Sequence, residues 1–377
     1  MGLTGGYVFP QAEAVAYLDT AAEGLPFPGC EEALACYCRD KSLGTPGRAR
    51  MQETEDEARA LAASLLGAEP QNVALVASAS EGLNLLANSL PWQSGDEVVL
   101  TDLEFPSNVL AWLRLRDRGV HLRLVETKRG TVSPAEFAQA ITPHTRMVTV
   151  SQVSYKSGTQ IRFLPALAEL AHRVGACLCV DATQALGRVP VSVDGVNYLV
   201  ASSYKWLLAH HGVAVVYISP ALRDRLAPGA VGWYSVHDIF TPDRFTRFEL
   251  RPGAEALVCG MPNFPSIYSL RASLRYLLEI GPARIDAALA PLVRKLREGL
   301  CALGLELLTP AAPEFASGIV SFEHPASEEI GAALAAQGVV VWAGDGRVRA
   351  SVHLYNRESD IDRYLTVLAS ILESRRA

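Results

Sequence analysis

The sequence predicts an α/β protein in which a mainly parallel sheet lies between helices, and three observations carry that prediction. From about residue 72 to 220, seven short apolar runs alternate with amphipathic segments of helical length. That is the pattern of βαβ units whose strands are buried on both faces. Beyond residue 256 the alternation gives way to two long helical segments, a few short strands and a terminal helix, as in a smaller α+β unit. The length of 377 residues suits two domains with a substantial core. The expected division is a large domain over residues 15–255 and a small C-terminal one over 256–377, with residues 1–14 packing on the latter.

Taken in order, the expected strands are NVALVA (72–77), DEVVLT (96–101), LRLVE (122–126), MVTVS (147–151), CLCVD (177–181), YLVAS (198–202) and VAVVYI (213–218). Between them, EGLNLLANSL (81–90), SNVLAWLRLRDR (107–118), AEFAQAI (135–141) and LPALAELAHRV (164–174) carry apolar residues at helical spacing. Residues 226–264 break the pattern with aromatic residues, prolines and glycines, and read as long ordered loops of the kind that serve function. A helix from about 265 to 280 stops at Gly281-Pro282, and a second runs over about 283–303. Strands are expected near 318–322 and 339–351, with a terminal helix from about 359.

The formal net charge is −6 and no long basic run exists, which argues against nucleic acid or an anionic membrane surface as a partner. The longest apolar runs are strand-sized, far below a membrane span. The N-terminus has neither the basic start nor the apolar stretch of a signal peptide. The seven cysteines, at 30, 36, 38, 177, 179, 259 and 301, include no Cys-x-x-Cys pair and read as reduced thiols of a cytoplasmic protein, with no metal site expected.

Ligands of such sheets bind in the loops after the strands, so the chemistry-bearing residues are expected there. After the first strand, Ser78, Ala79 and Ser80 stand at a strand-to-helix turn, where free amides favour an anion such as phosphate. The same residues also suit a plain N-cap, with Glu81 in the first turn. Asp181 ends an all-apolar strand, an expensive place for a carboxylate without a partner. Lys205, one of only five lysines against twenty-nine arginines, follows the next strand between Tyr204 and Trp206. A desolvated lysine has a lowered pKa and attacks carbonyls. An Asp181–Lys205 salt bridge is one reading. The combination of anion site, acid, reactive lysine and aromatic rings suits pyridoxal 5′-phosphate better.

With YLDTAAEGLP (17–26), SASEGLN (78–84), DATQALG (181–187), SSYKW (202–206) and RVRASVHLYNRESDIDR (347–363) in this order, the sequence resembles the class V aminotransferase family of fold-type I pyridoxal phosphate enzymes. That family includes cysteine desulfurases, isopenicillin N epimerase-like proteins and kynureninase. The resemblance implies that Lys205 forms the Schiff base and that Asp181 holds the pyridinium nitrogen. It implies further that Gln184 bonds the phenolic oxygen, and that Ser78, Ala79, Ser80, Ser202 and Tyr204 hold the phosphate. Phe105 would stack on the ring where desulfurases place a histidine, and Arg349 would grip the substrate carboxylate as a bidentate fork. Tyr155 would reach the ring or substrate, or only cap its loop. His210 and His211 read either as surface turn residues or as a proton donor at the rim, and Lys156 is a weaker alternative to Lys205.

Departures from the family narrow the reading. The stretch GVVVWAGDGRVRAS (338–351) is short and lacks the cysteine that desulfurases carry before the carboxylate-binding arginine. Met261 stands where relatives have the threonine that reaches a neighbouring subunit's phosphate, with Ser235 a candidate substitute. Tyr155, Trp233, Trp342 and the histidine pair are expected to outline the pocket. The expectation is a homodimeric enzyme, its active site near the interface, that removes the Cα proton of an amino acid. β-Elimination of a thiolate from a cysteine-derived substrate, a carbon–sulfur lyase reaction, is the first reading and transamination the second. Epimerisation, kynureninase-like hydrolysis or a non-catalytic relative of the fold come after these.

Overall fold

A computed structural model describes residues 3–376 of the chain. Its twelve strands are β1 (Ala16–Tyr17), β2 (Val73–Val76), β3 (Glu97–Thr101), β4 (His121–Val125), β5 (Thr145–Ser151), β6 (Cys177–Asp181), β7 (Tyr198–Ser202), β8 (Ala214–Ile218), β9 (Ile319–Glu323), β10 (Val339–Val340), β11 (Trp342–Gly344) and β12 (Arg347–Ser351). Seven form the main sheet in the order β2-β8-β7-β6-β5-β3-β4. The strands from β3 to β7 pair in parallel, whereas β8 runs antiparallel to both of its neighbours. Every residue of β6, β7 and β8 is buried, which is why these strands read as continuous apolar runs. The parallel arrangement aims the C-terminal ends of β2, β5, β6 and β7 at one edge, where the chemistry-bearing loops begin.

Helix Ala79–Ser89 packs closely on this sheet. A Cβ added at Gly82 would meet Val200 Cγ1 and Val216 Cγ2 at 2.9 Å each, and Tyr198 Oη donates to Gly82 O at 2.7 Å. The expected helix over 107–118 is α-helical only for Ser107–Leu113 and tightens to a 3-10 turn over Arg114–Arg118, ending at left-handed Gly119. The expected strand over 339–351 is three strands. Asp345 and Gly346, with φ of 48° and 70°, form a tight turn that folds β11 back on β12.

Residues 256–377, expected as a smaller domain, begin with helix Phe264–Ile280, which packs on helices Cys30–Ser42 and Thr45–Leu66. There Tyr268 Oη donates to Asp40 at 2.7 Å. Helices Pro282–Ala302 and Glu358–Arg376 then flank a three-stranded sheet of order β11-β12-β9. The N-terminal segment reaches the same region. β1 pairs in parallel with β10, Phe9 packs on Tyr355 with ring centroids 5.1 Å apart, and Glu13 pairs with Arg357. The first two residues of the expected N-terminal segment lie outside the described residues. Because Ser351 N donates to Leu18 O at 2.8 Å, the chain around Asp19 is fixed beside β12. That contact joins the first twentieth of the sequence to the last tenth at the site. Among the described residues no helix is long and apolar enough to cross a membrane.

Candidate active site

A small cleft of about 100 Å³ opens at the C-terminal edge of the main sheet. It is lined by Ser78, Ala79, Ser80, Phe105, Tyr155, Asp181, Gln184, Ser202, Tyr204 and Lys205, all singled out in the sequence, together with Ser107, Ser151, Val153 and Thr183, which were not. They arrive from the C-terminal ends of five strands. Ser78–Ser80 follow β2, Phe105 follows β3, Tyr155 follows β5, Asp181 closes β6, and Ser202 closes β7 just before Lys205.

Lys205 is 8 % exposed. Its Nζ lies 5.4 Å from the centre of the Phe105 ring and 5.5 Å from that of Tyr204. Burial, with the Arg349 charge second, pushes its amine down to about 8, while Asp181, Glu23 and Asp19 pull the other way. At a pKa of about 8, roughly a tenth of Lys205 is free amine at pH 7, far more than an ordinary lysine would offer. Its backbone is fixed from outside the motif. A Cβ on Gly24 would fall 1.9 Å from Lys205 O, and Gly24 N donates to Tyr204 O at 2.9 Å. Lys156 instead lines a separate open groove of about 850 Å³ with Lys128 and Arg129, so it does not stand in for Lys205.

Asp181 does not ion-pair with Lys205. Its Oδ1 accepts from Thr183 N at 2.9 Å, and burial pushes its carboxyl above the usual range, opposed first by the Thr183 hydrogen bonds and then by the Lys205 charge. A buried acid so held is poised to take up a cationic N–H. Gln184 donates from Nε2 to Ala21 O at 2.9 Å and accepts from Trp206 Nε1 at 2.6 Å, leaving one amide N–H to serve a ligand oxygen.

At the start of helix Ala79–Ser89, Ser78 Oγ accepts from Glu81 N at 3.0 Å. The N-cap expectation for Ser78 is thus met, and the first-turn amides of Ala79 and Ser80 have no intrahelical partner. Ser80 Oγ and Ser107 Oγ lie 2.7 Å apart. With Ser202 and Tyr204 across the cleft, hydroxyls and helix-end amides face one space, a donor set suited to a phosphate. The residues present therefore fit pyridoxal phosphate on three separate counts: a desolvated amine, a buried acid and an anion-binding helix end.

Phe105 meets the Tyr155 ring edge-on, with centroids 5.0 Å apart. Its loop is anchored by Glu104, a fully buried carboxyl raised by desolvation, which accepts from Ser151, Asn108 and Thr101 at 2.7–2.8 Å. Arg349 comes from the other sheet. It is 3 % exposed, donates from Nη1 to Tyr155 O at 2.8 Å, and has Asp19 Oδ1 3.9 Å from Nη2. Desolvation pulls its guanidinium down to about 10.

Three expectations are corrected. Neither tryptophan lines the cleft: Trp233 stands 46 % exposed with its ring edge-on to Tyr234, and Trp342 packs against the guanidiniums of Arg347 and Arg349. Ser235 is fully buried and closes its own turn, donating to Gly232 O at 2.8 Å and accepting from Gly232 N at 3.0 Å, so it has no free hydroxyl for a phosphate. The histidine pair divides. His210 Nδ1 turns inward to Ser269 Oγ at 2.6 Å, while His211 stacks on Tyr204 at 4.2 Å and meets the Glu23 carboxylate at 3.2 Å.

The sequence reading missed Asp19, Glu23 and Gly24. They were quoted within a motif, but only the three-dimensional contact with Lys205 and Arg349 reveals their part. Thr183 had a signal, since it follows the buried acid at the strand end by two residues.

A family model described as Aminotransferase class-V matches residues 17–364. A probable cysteine desulfurase of Pyrococcus abyssi is 28 % identical, over 98 % of this chain and 97 % of that protein. Among solved structures, the apo cysteine desulfurase from Thermococcus onnurineus NA1 superposes with a TM-score of 0.89 at 26 % identity, covering 97 % of this chain and 96 % of that one. The cystine C–S lyase C-DES, in complex with its reaction product cysteine persulfide, gives 0.87 at 22 % identity, covering 96 % and 99 %.

Proposed function

The chain belongs to the class V aminotransferase family of pyridoxal-phosphate-dependent enzymes, and from that premise we propose that it is a carbon–sulfur lyase acting on a cysteine-derived amino acid. The observation that carries this reading is the β11–β12 hairpin. Its two-residue turn at Asp345-Gly346 leaves no loop before Arg349, and none of the seven cysteines lines the cleft. A thiol positioned to accept sulfur is missing from that place, whereas a desolvated amine, Lys205, and a buried acid, Asp181, line the cleft and support removal of a Cα proton. The sulfur then leaves with its substituent.

When bound, pyridoxal phosphate supplies an electron sink for the pair left at Cα. Lys205 Nζ would hold the cofactor and, as a free amine, would act as the base that takes the Cα proton, a role its lowered pKa suits. Asp181, a buried acid held by Thr183, would pair with the cofactor's ring nitrogen and favour its protonated form. Ser80, Ser202, Tyr204 and the amides of Ala79 and Ser80 hold the phosphate, with Ser78 capping that helix. Phe105 and Tyr155 form an aromatic wall of the cleft, and Phe105, which cannot carry a proton, leaves that task to Lys205. Arg349 fixes the substrate carboxylate. After Lys205 has taken the Cα proton, the electron pair left at Cα forms the Cα–Cβ double bond and expels the sulfur from Cβ. A thiolate departs, and the released 2-aminoacrylate hydrolyses to pyruvate and ammonia.

We infer further that the protein is a homodimer with the cleft near the interface. The support is the 226–262 segment, where Val231, Trp233, Phe240, Phe245, Phe248 and Met261 are exposed, an apolar surface that a second copy would cover. A cytoplasmic location accords with seven unpaired thiols.

The deciding experiment mixes the yellow holoenzyme with S-substituted cysteines and common amino acids, following pyruvate, released thiol and the cofactor spectrum together. Pyruvate and thiol with the aldehyde form retained support the lyase. Conversion to the pyridoxamine form, reversed by a keto acid, would make the protein an aminotransferase instead. Light scattering at micromolar concentration tests the dimer.

A further inference from the structure

β6 and β7 run side by side to the cleft, with Asp181 in register with Val200 and Ala182 N donating to Val200 O at 2.8 Å. Thr183 stands just beyond this pairing, lines the cleft and is 8 % exposed. It bonds to both strand ends. Its N–H donates to Asp181 Oδ1 at 2.9 Å, an Asx turn that bends the chain away from β6. Its Oγ1 accepts from Ser202 N at 3.2 Å. One residue thus connects the acid expected at the cofactor's ring nitrogen with the serine expected at its phosphate.

The hydrogen of that hydroxyl has one destination. A threonine hydroxyl carries a single donor hydrogen beside its lone pairs. Ser202 N–H points at the oxygen, so the hydrogen turns the other way and goes to the Asp181 carboxyl. Of the influences that hold this buried carboxyl down against desolvation, the Thr183 hydroxyl comes first, the Thr183 N–H second and the Lys205 charge third. Asp181 makes no ion pair with Lys205, so its capacity to carry a charge depends chiefly on two donors of one residue. β-Branching restricts χ1 of threonine, which fixes the hydroxyl's direction at little entropic cost. A ligand nitrogen arriving in the cleft then meets a carboxylate already oriented.

Resting on the role given above to Asp181, we propose that Thr183 is a positioning residue whose hydroxyl fixes that carboxylate for the cofactor's ring nitrogen and ties it to the Ser202 end of the cleft. This holds for a lyase and an aminotransferase alike. Thr183→Val replaces the hydroxyl by a methyl and keeps the size and branching of the side chain. It strips the carboxylate of one donor and leaves Ser202 N–H without its acceptor. The first loss weakens only what depends on the Asp181 charge, and the second is the same at every pH.

The test measures the affinity of the apo-protein for pyridoxal 5′-phosphate and for 1-deazapyridoxal 5′-phosphate, in which a carbon replaces the ring nitrogen. Wild type, Thr183→Val, Thr183→Ser and Asp181→Asn are compared by equilibrium titration, without turnover. The wild type prefers the nitrogen-bearing compound, and Thr183→Val is expected to shrink that preference by about 3- to 10-fold. Thr183→Ser, which keeps the hydroxyl, retains most of it. Should Thr183→Val not load, Thr183→Cys, a weaker donor of similar size, gives a smaller loss in the same direction. A second readout uses the apo-protein alone. Ionised Asp181 costs stability as pH rises above the ordinary carboxylate range, and without the hydroxyl that cost goes on growing to a higher pH. The gap in melting temperature between wild type and Thr183→Val therefore widens as pH is raised, and stays constant when both proteins also carry Asp181→Asn. Equal weakening of both compounds by Thr183→Val, a Thr183→Ser variant that behaves like Thr183→Val, or a melting gap that ignores pH would overturn the proposal. If Asp181→Asn itself keeps the full preference, the role of Asp181 fails. If Asp181→Asn loses it and Thr183→Val does not, only the inference about Thr183 fails.

Discussion

Asp19 Oδ1 stands 3.9 Å from Arg349 Nη2, so the arginine expected to grip the substrate carboxylate already faces a carboxylate of the protein. Asp19 is raised to about 7, first by desolvation, against which Arg349 and Lys205 pull down while Glu23 pushes up. Its Oδ1 has no hydrogen-bond partner. This is a strained arrangement of charge, and it makes the affinity of the site depend on pH.

Above pH 7 Asp19 is ionised and competes with the substrate for Arg349; below it, Asp19 is protonated and the competition fades. Asp19→Asn is therefore expected to lower KM for an α-carboxylate substrate by about 3- to 10-fold at pH 8 and to leave it near the wild-type value at pH 5.5. For stability the sign runs the same way. The folded state holds the proton between about pH 4 and 7 and the unfolded state does not, so this residue's contribution falls as pH rises through that window. Melting curves of the apo-protein should show Asp19→Asn gaining on the wild type from pH 5 to 8. A KM ratio that does not change with pH would dissociate Asp19 from Arg349.

Lys205 gives a second pH signature. Only the free amine attacks an aldehyde, and burial has brought its pKa down to about 8. The rate at which apo-protein takes up pyridoxal phosphate, followed by absorbance, should rise with pH and reach half its limit near pH 8 rather than near 10. Lys205→Ala should bind the cofactor without the covalent band and lose activity by about 1,000-fold or more. Stability runs opposite to the Asp19 case. The depressed amine contributes least below pH 8, and its cost is relieved as pH rises from about 8 to the ordinary lysine value.

Much of this site was legible because its parts follow buried strands. An apolar run of five residues ending in Asp181, or in Ser202 with Lys205 just beyond, marks both the element and the loop that bears the chemistry. What escaped was the part made by distant pieces of chain. Within the expected strand stretch 339–351, Asp345-Gly346 carries a hairpin signal, and only that turn brings Trp342 opposite Arg349. The reversed direction of β8 left no trace either, since a fully buried strand has the same composition whichever way it runs. Asp19 and Gly24 acquire meaning only from contacts with residues more than 180 positions away.

Gly24 tests that long-range dependence. A methyl added there would fall 1.9 Å from Lys205 O, a backbone atom that cannot swing aside as a side chain could. Gly24→Ala must push the Lys205 turn away from the cleft, and overpacking of this kind costs about 1–3 kcal/mol. The expected result is a lower melting temperature together with weakened cofactor retention, measured as the fraction of yellow enzyme after dialysis. Gly82→Ala, which would crowd two valine side chains of the sheet, should cost a similar amount of stability with a smaller effect on retention. Equal effects on retention would mean that the loss follows global loosening rather than displacement of Lys205.

Asp181 separates stability from chemistry most sharply. Its carboxyl is fully buried, raised by desolvation, and held by Thr183 with Lys205 too far for an ion pair. Without a cation beside it, ionising this group is unfavourable, so in the apo-protein the carboxylate weakens the fold as pH rises above the ordinary carboxylate range. Asp181→Asn keeps the shape and removes that cost, and the apo-variant should melt at a higher temperature than the wild type at pH 7.5. The opposite holds once the cofactor is loaded, because Asn cannot keep a proton on the ring nitrogen. Activity should fall by about 100-fold or more, and the gain in melting temperature that loading gives the wild type should shrink in the variant. A variant less stable than the wild type in both forms would assign Asp181 to packing through Thr183 rather than to a ligand cation.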